Sequence, residues 1–151
     1  MIPQFYKSVN IQPKRDMRSM VVSLEREIGK LPQVELPVEH FFIPHVYARQ
    51  MTIFKGAALV GRVHKYPCIN IVSKGKISVT TDTGVKTIEA PYTFTSPAGT
   101  KRAGFAHEET IWTTIHLTDE TDIDKIEDAL GTITYEEFLL FSEEQKCLSQ
   151  Q

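Results

Sequence analysis

Four side chains able to move a proton, grip an anion or ligate a metal recur at alternate positions: Arg62, His64, Tyr66 and Cys68. On an extended strand a period of two sends them to one face, so they would reach one pocket together. Arg102 adds a guanidinium whose fork suits a carboxylate or a phosphate, with Arg62, Lys65 and Lys101 as further cations. The competing reading makes Lys101 and Arg102 a solvated loop tip paired with Glu108 or Glu109. His116 follows Trp112 and Thr114 in the same strand phase and completes the candidate pocket of Arg62, His64, Tyr66, Cys68, Arg102 and His116. Trp112, the single tryptophan, reads as core or interface packing before ligand stacking. Cys68 has no His-Asp partner set in the sequence and reads as an inert, half-buried thiol rather than a nucleophile. His40 and His45 read as structural.

These residues need a frame of strands. Between Val46 and Leu117, short β-prone runs such as INIVS, KISVTT, YTFTS and IWTTIHL are separated by Gly, Pro, Asp-Thr-Gly and Ala-Gly-Thr breaks. That texture predicts a sandwich or a barrel. Asp82-Thr83-Gly84 predicts a hairpin turn, with Ile77, Val79, Val85 and Ile88 on the buried faces. Upstream, Met17, Met20, Val21, Leu24 and Ile28 recur at helical spacing before Gly29. Pro32, Pro37 and Pro44 then favour an extended arm over residues 30–45. Downstream, Thr118 is a candidate cap for a helix carrying Ile123, Ile126 and Leu130, stopped by Gly131. Thr134 and Glu137 have capping-box spacing for a second helix through Phe141, followed by a polar tail.

Gly56, Arg62, His64, Cys68 and Gly75 fit without a gap on the pattern G-x5-H-x-H-x3-E-x6-G, and Pro91, Pro97, Gly99 and Arg102 fit G-x5-P-x-G-x2-H. In this the chain resembles the cupin superfamily. The resemblance implies a mainly β fold, a double-stranded β-helix or jelly-roll barrel, with a metal at the inward ends of the motif strands. Of the four ligand positions only His64 keeps its family residue, because Arg62, Cys68 and Arg102 stand at the other three. One imidazole holds a divalent ion poorly, so no metal or other cofactor is expected. Were a divalent metal present, His64, His107 and His116 would be its ligands, with Asn70 in the same strand phase.

The expected organisation is an N-terminal helix and proline-rich arm at 1–45, the barrel at 46–117, and C-terminal helices with a polar tail at 118–151. The 151 residues suit one core, and 17 Lys+Arg against 19 Asp+Glu exclude a strongly basic, phosphate-seeking surface, so non-specific nucleic-acid binding is not expected. Two distant cysteines suit a reducing compartment, and neither a leader nor a membrane span is read in the sequence. A cytoplasmic site of synthesis follows as an expectation.

Three functions compete on one barrel. The first is a non-catalytic cupin module that assembles as a homo-oligomer or within a larger complex. Its short length and C-terminal helices resemble small proteins of tailed-phage genomes, which implies a virion structural role. The second is an enzyme, either a metal-dependent dioxygenase or isomerase, or an epimerase-type cupin with His64 and Tyr66 as base and acid. The third is a pocket that sequesters a small anion through Arg62 and Arg102. The run Phe41-Phe42-Ile43 must be covered by the chain's own barrel or by a neighbour.

Overall fold

The computed structural model describes residues 15–151. The reading of residues 1–14 as free of a leader lies outside the described residues. In chain order the elements are α1 (Arg15–Ile28), β1 (Val38–Ile43), β2 (Val46–Ile53), β3 (Ala58–Val60), β4 (Val63–His64), β5 (Cys68–Lys74), β6 (Lys76–Thr81), β7 (Gly84–Glu89), β8 (Tyr92–Ser96), β9 (Ala103–Ala106) and β10 (Thr110–Leu117). After them come α2 (Ile123–Leu130), β11 (Gly131–Thr132) and α3 (Tyr135–Ser149). A five-stranded sheet, β1-β2-β10-β5-β8, faces a four-stranded sheet, β3-β9-β6-β7, and β4 pairs with β11. All the pairings are antiparallel, and Ile53, Val72, Ile77, Val79, Ile88 and Ala106 form the buried core. This is a jelly-roll barrel, the architecture that the family resemblance implies, and it agrees with the sandwich or barrel that the run lengths and turn signals predict.

The sheet begins earlier than residue 46. Pro37 and Pro44 bracket β1 instead of excluding it, which places the strand at a sheet edge where a missing donor costs little. Strand alternation also divides the apolar run: Phe42 turns inward onto Tyr47, while Phe41 and Ile43 face out and are exposed. In the β6–β7 hairpin, Thr81 pairs with Gly84 across Asp82-Thr83, as expected. Val85 pairs with Thr80 and therefore lies on the face opposite to Ile77, Val79 and Ile88.

Helix α1 buries Met17, Met20 and Val21 against the outer side of the four-stranded sheet. Helix α2 is capped by Asp122, whose carboxylate accepts the Asp124 N–H at 2.9 Å, and not by Thr118. Thr118 instead accepts the Glu120 N–H at 3.1 Å within the linker. Helix α3 has the expected Thr134/Glu137 capping box but continues through the polar tail to Ser149. The Glu, Gln, Lys and Leu residues there are good helix formers and no Gly or Pro interrupts them.

Candidate ligand-binding site

Side chains on the inner face of the five-stranded sheet lie in cross-strand rungs, because paired residues share a face. One rung holds Phe42, Tyr47 and His116; the next holds His40, Arg49, Thr114, Asn70 and Phe94; a third holds Val38, Met51, Trp112, Val72 and Tyr92. Polarity thus falls along the barrel axis. The facing sheet contributes Leu59, Ile77 and Val79, and the space between is a cavity of about 420 Å³. At its polar end Ile126 and Leu130 of α2 close over it.

His64 is fixed by its backbone. Its N–H donates to Thr100 O at 2.9 Å, its carbonyl accepts the Gly99 N–H at 2.8 Å, and it pairs with Gly131 of β11. A side chain at 131 would meet Val63 O and Arg62 Cβ at 3.0 Å each, so a larger residue there would push the two strands apart by a few tenths of an ångström. The His64 ring stacks on His116 with centroids 5.8 Å apart, and His116 stacks on Tyr47 at 5.9 Å. Tyr47 in turn shares its hydroxyl with His40 Nδ1 at 2.7 Å, so His40 supports the rung from behind. Cys68 Sγ lies 3.2 Å from His64 Nδ1.

Charge decides the state of these groups. Burial, then Arg102 and Arg49, hold the His64 imidazole below its ordinary value; burial, His64 and Arg49 lower His116 to about 4. Both rings are neutral at pH 7. Burial pushes the Cys68 thiol up. Arg102 donates to Thr80 O at 3.0 Å and Ser96 Oγ at 3.1 Å and lies over the Phe94 ring. The Arg49 guanidinium has no hydrogen-bond or ion-pair partner among the described residues.

Several expected members are elsewhere. Arg62 reaches the cavity rim but is held by Asp128 at 2.6 Å and Glu127 at 3.4 Å, both from α2. Lys65 donates to Asp128 O at 2.6 Å. Tyr66 is outside the cavity, packed edge-on against Phe141 of α3. The period-two argument fails there because β4 stops at His64 and the chain bends through residues 65 and 66 before Pro67, which cannot donate to a ladder. His107 bonds Ser78 Oγ at 2.7 Å on the outer face of the four-stranded sheet, away from His64 and His116. Lys101 is buried, ion-paired to Glu25 of α1, and donates to Ile133 O at 2.7 Å; Glu109 pairs with Lys74. The loop-tip reading of Lys101 and Arg102 therefore fails. Trp112 lines the cavity and donates its indole N–H to Asn70 Oδ1 at 3.1 Å.

Arg49 escaped the sequence reading. Its signal was there: Tyr47, Arg49, Met51 and Ile53 alternate in one phase, three of them suited to burial.

His64, Cys68 and His116 bring three donor atoms within 4.8 Å of one another, with Cys68 where His107 was expected. Their spacing suits a metal, but their surroundings do not fit a dication. Arg102 and Arg49 already disfavour a single proton on His64, and the same charges repel a dication about twice as strongly. Burial keeps the thiol in its weakly ligating protonated form. Among the described residues Glu127 is the only carboxylate lining the cavity, and it is engaged by Arg62.

No protein-family model matches the chain, and no curated protein matches it. Solved structures do. A cupin superfamily protein from Desulfitobacterium hafniense DCB-2 aligns over 60% of this chain and 84% of its own, at 12% identity and TM-score 0.50. KdgF from Halomonas sp. aligns over 59% and 86%, at 16% identity and TM-score 0.49. The cupin domain of Cnp3 from Schizosaccharomyces pombe aligns over 61% and 67%, at 20% identity and TM-score 0.48. The chain has the cupin fold. Identities this low define the fold alone, and what the barrel does is read from its cavity. No helix among the described residues is long and apolar enough to cross a membrane.

Proposed function

We propose that the chain is a non-catalytic cupin module whose barrel holds a small organic anion without a metal. The observation that carries this reading is a cavity lined by three guanidinium groups, of which Arg62 is ion-paired and Arg49 and Arg102 are paired to no carboxylate among the described residues. Arg49 and Arg102 are half-buried, so part of their hydration is lost without a counter-ion to replace it, and an anionic ligand supplies one. The acid–base alternative loses its second group, since Tyr66 lies against α3 and not beside His64. Titration with acetate, followed by the fluorescence of Trp112, is expected to give a saturable change that Arg49→Gln removes. Elemental analysis of the same sample is expected to show no stoichiometric transition metal. About one metal per chain, lost in His64→Ala, or no saturable response to an anion, would overturn the reading.

Assembly is a second reading with its own observation. The outer face of the five-stranded sheet carries Phe41, Ile43, Ile69 and Leu117 exposed side by side with Val46, Ala48 and Ile115, with no charge among them. We propose that a second copy of this chain covers it, an uncharged apolar sheet face being suited to two-fold self-pairing; a virion component is one form such a module could take. Sedimentation at micromolar concentration is expected to show a dimer that becomes a monomer in Leu117→Lys. A wild-type monomer under those conditions would rule the pairing out.

A further inference from the structure

We infer that the anion is a monocarboxylate with a compact apolar body, bound with its head on Arg49 and its body between Trp112 and the Ile77/Val79 wall. This rests on the anion-binding reading and narrows it. The two sheets give the cavity two unlike walls. The four-stranded sheet offers Leu59, Ile77 and Val79, none of which can bond a hydroxyl or a second charged head. The five-stranded sheet offers its polar groups in two adjacent rungs, Tyr47 with His116 and Arg49 with Thr114 and Asn70, and the next rung, about 7 Å further along the strand, is already apolar at Met51 and Trp112. A ligand that satisfies both walls is amphipathic along one short axis.

The donors left over decide the head group. Asn70 is internally satisfied: its amide nitrogen donates to Ser96 Oγ at 2.9 Å, and its oxygen accepts from Trp112 at 3.1 Å and Thr114 at 3.5 Å. Arg102 is held in place by one N–H of each terminal nitrogen, donated to Thr80 O and Ser96 Oγ. Arg49 therefore presents the one guanidinium fork in the cavity with no partner among the described residues, and that planar fork matches a carboxylate bidentately. His64 adds a neutral donor. With the Cys68 thiol donating to Nδ1, the imidazole proton sits on Nε2, which is left for the ligand. A polyol would leave most of its hydroxyls without partners against this set, and a phosphate dianion would find only one guanidinium without hydrogen-bond partners among the described residues. The cavity, about 420 Å³, lies at the small end of those that enclose organic ligands.

The test is a calorimetric titration of the whole chain with four probes: benzoate, acetate, benzyl alcohol and inorganic phosphate. Benzoate is expected to bind at least tenfold more tightly than acetate, phosphate or benzyl alcohol. Arg49→Gln is expected to weaken benzoate by tenfold or more. Val79→Thr, which changes the wall's polarity at nearly constant shape, is expected to shrink the gap between benzoate and acetate while leaving acetate unchanged. Acetate or phosphate binding as tightly as benzoate, both through Arg49, would overturn this inference and leave the anion reading standing. Benzyl alcohol equal to benzoate, or no binding by any probe at millimolar concentration, would overturn both.

Discussion

Alanine at position 75 is expected to destabilise the fold by more than about 4 kcal/mol, at the extreme of single-substitution effects. Gly75 joins β5 to β6 with a φ of +91°, a region that side chains with a Cβ rarely adopt. A Cβ there would sit 2.2 Å from Glu109 O and 2.7 Å from Thr110 Cα. Both obstacles are backbone, so no rotamer change relieves them. Retreat would drag the start of β10, which bears Trp112, Thr114 and His116 further on, away from the core. Gly56 is the control: its φ is +82°, yet nothing lies within 4 Å of the place a methyl group would occupy. Alanine at 56 should cost only the backbone term, about 1–2 kcal/mol. Urea unfolding of both variants, followed by circular dichroism, checks the pair, and equal losses would refute the steric account.

Acid is expected to loosen the barrel through His116. Its imidazole is held at about 4 in the fold against an ordinary 6.5. The unfolded chain therefore binds the extra proton first as pH falls, and stability drops across the window from about 6.5 to 4. The loss attributable to this residue reaches about 3 kcal/mol at the bottom of the window. His64 is shifted in the same direction and adds to the slope. Urea midpoints at pH 7.5 and 4.5 should separate widely in the wild type. In His116→Phe, where a ring of similar shape still stacks between Tyr47 and His64, the separation should narrow. An unchanged pH dependence in that variant would refute the assignment.

The barrel was legible because its evidence is local. Gly56, Gly75, Pro97 and Gly99 stand at corners, the three glycines with positive φ, and the strand runs between them alternate cleanly. His64 and His116 were also found from strand phase, and the structure stacks them. What failed is what depends on partners distant in sequence. Arg62 looked like a pocket cation until α2 brought Asp128 and Glu127 to it. Lys101 looked solvated until α1 supplied Glu25, 76 positions earlier. Tyr66 was misplaced by a bend, and β1 was concealed by the prolines at its ends. Periodicity reports which side of a strand a residue occupies, not which distant helix will neutralise it.

The closure of the cavity mouth by α2 and β11 has a consequence for synthesis on the ribosome. Strands β1 to β10 contain both walls and every polar rung, yet the strand bearing His64 gains its partner only when Gly131 and Thr132 arrive. A nascent chain that has emerged only as far as Leu117 would hold an open trough, with Tyr47 uncovered by Ile126 and Leu130. Synthesis in chain order makes the trough before its cover, so tight retention of a ligand waits for residues 118–132, made after both walls.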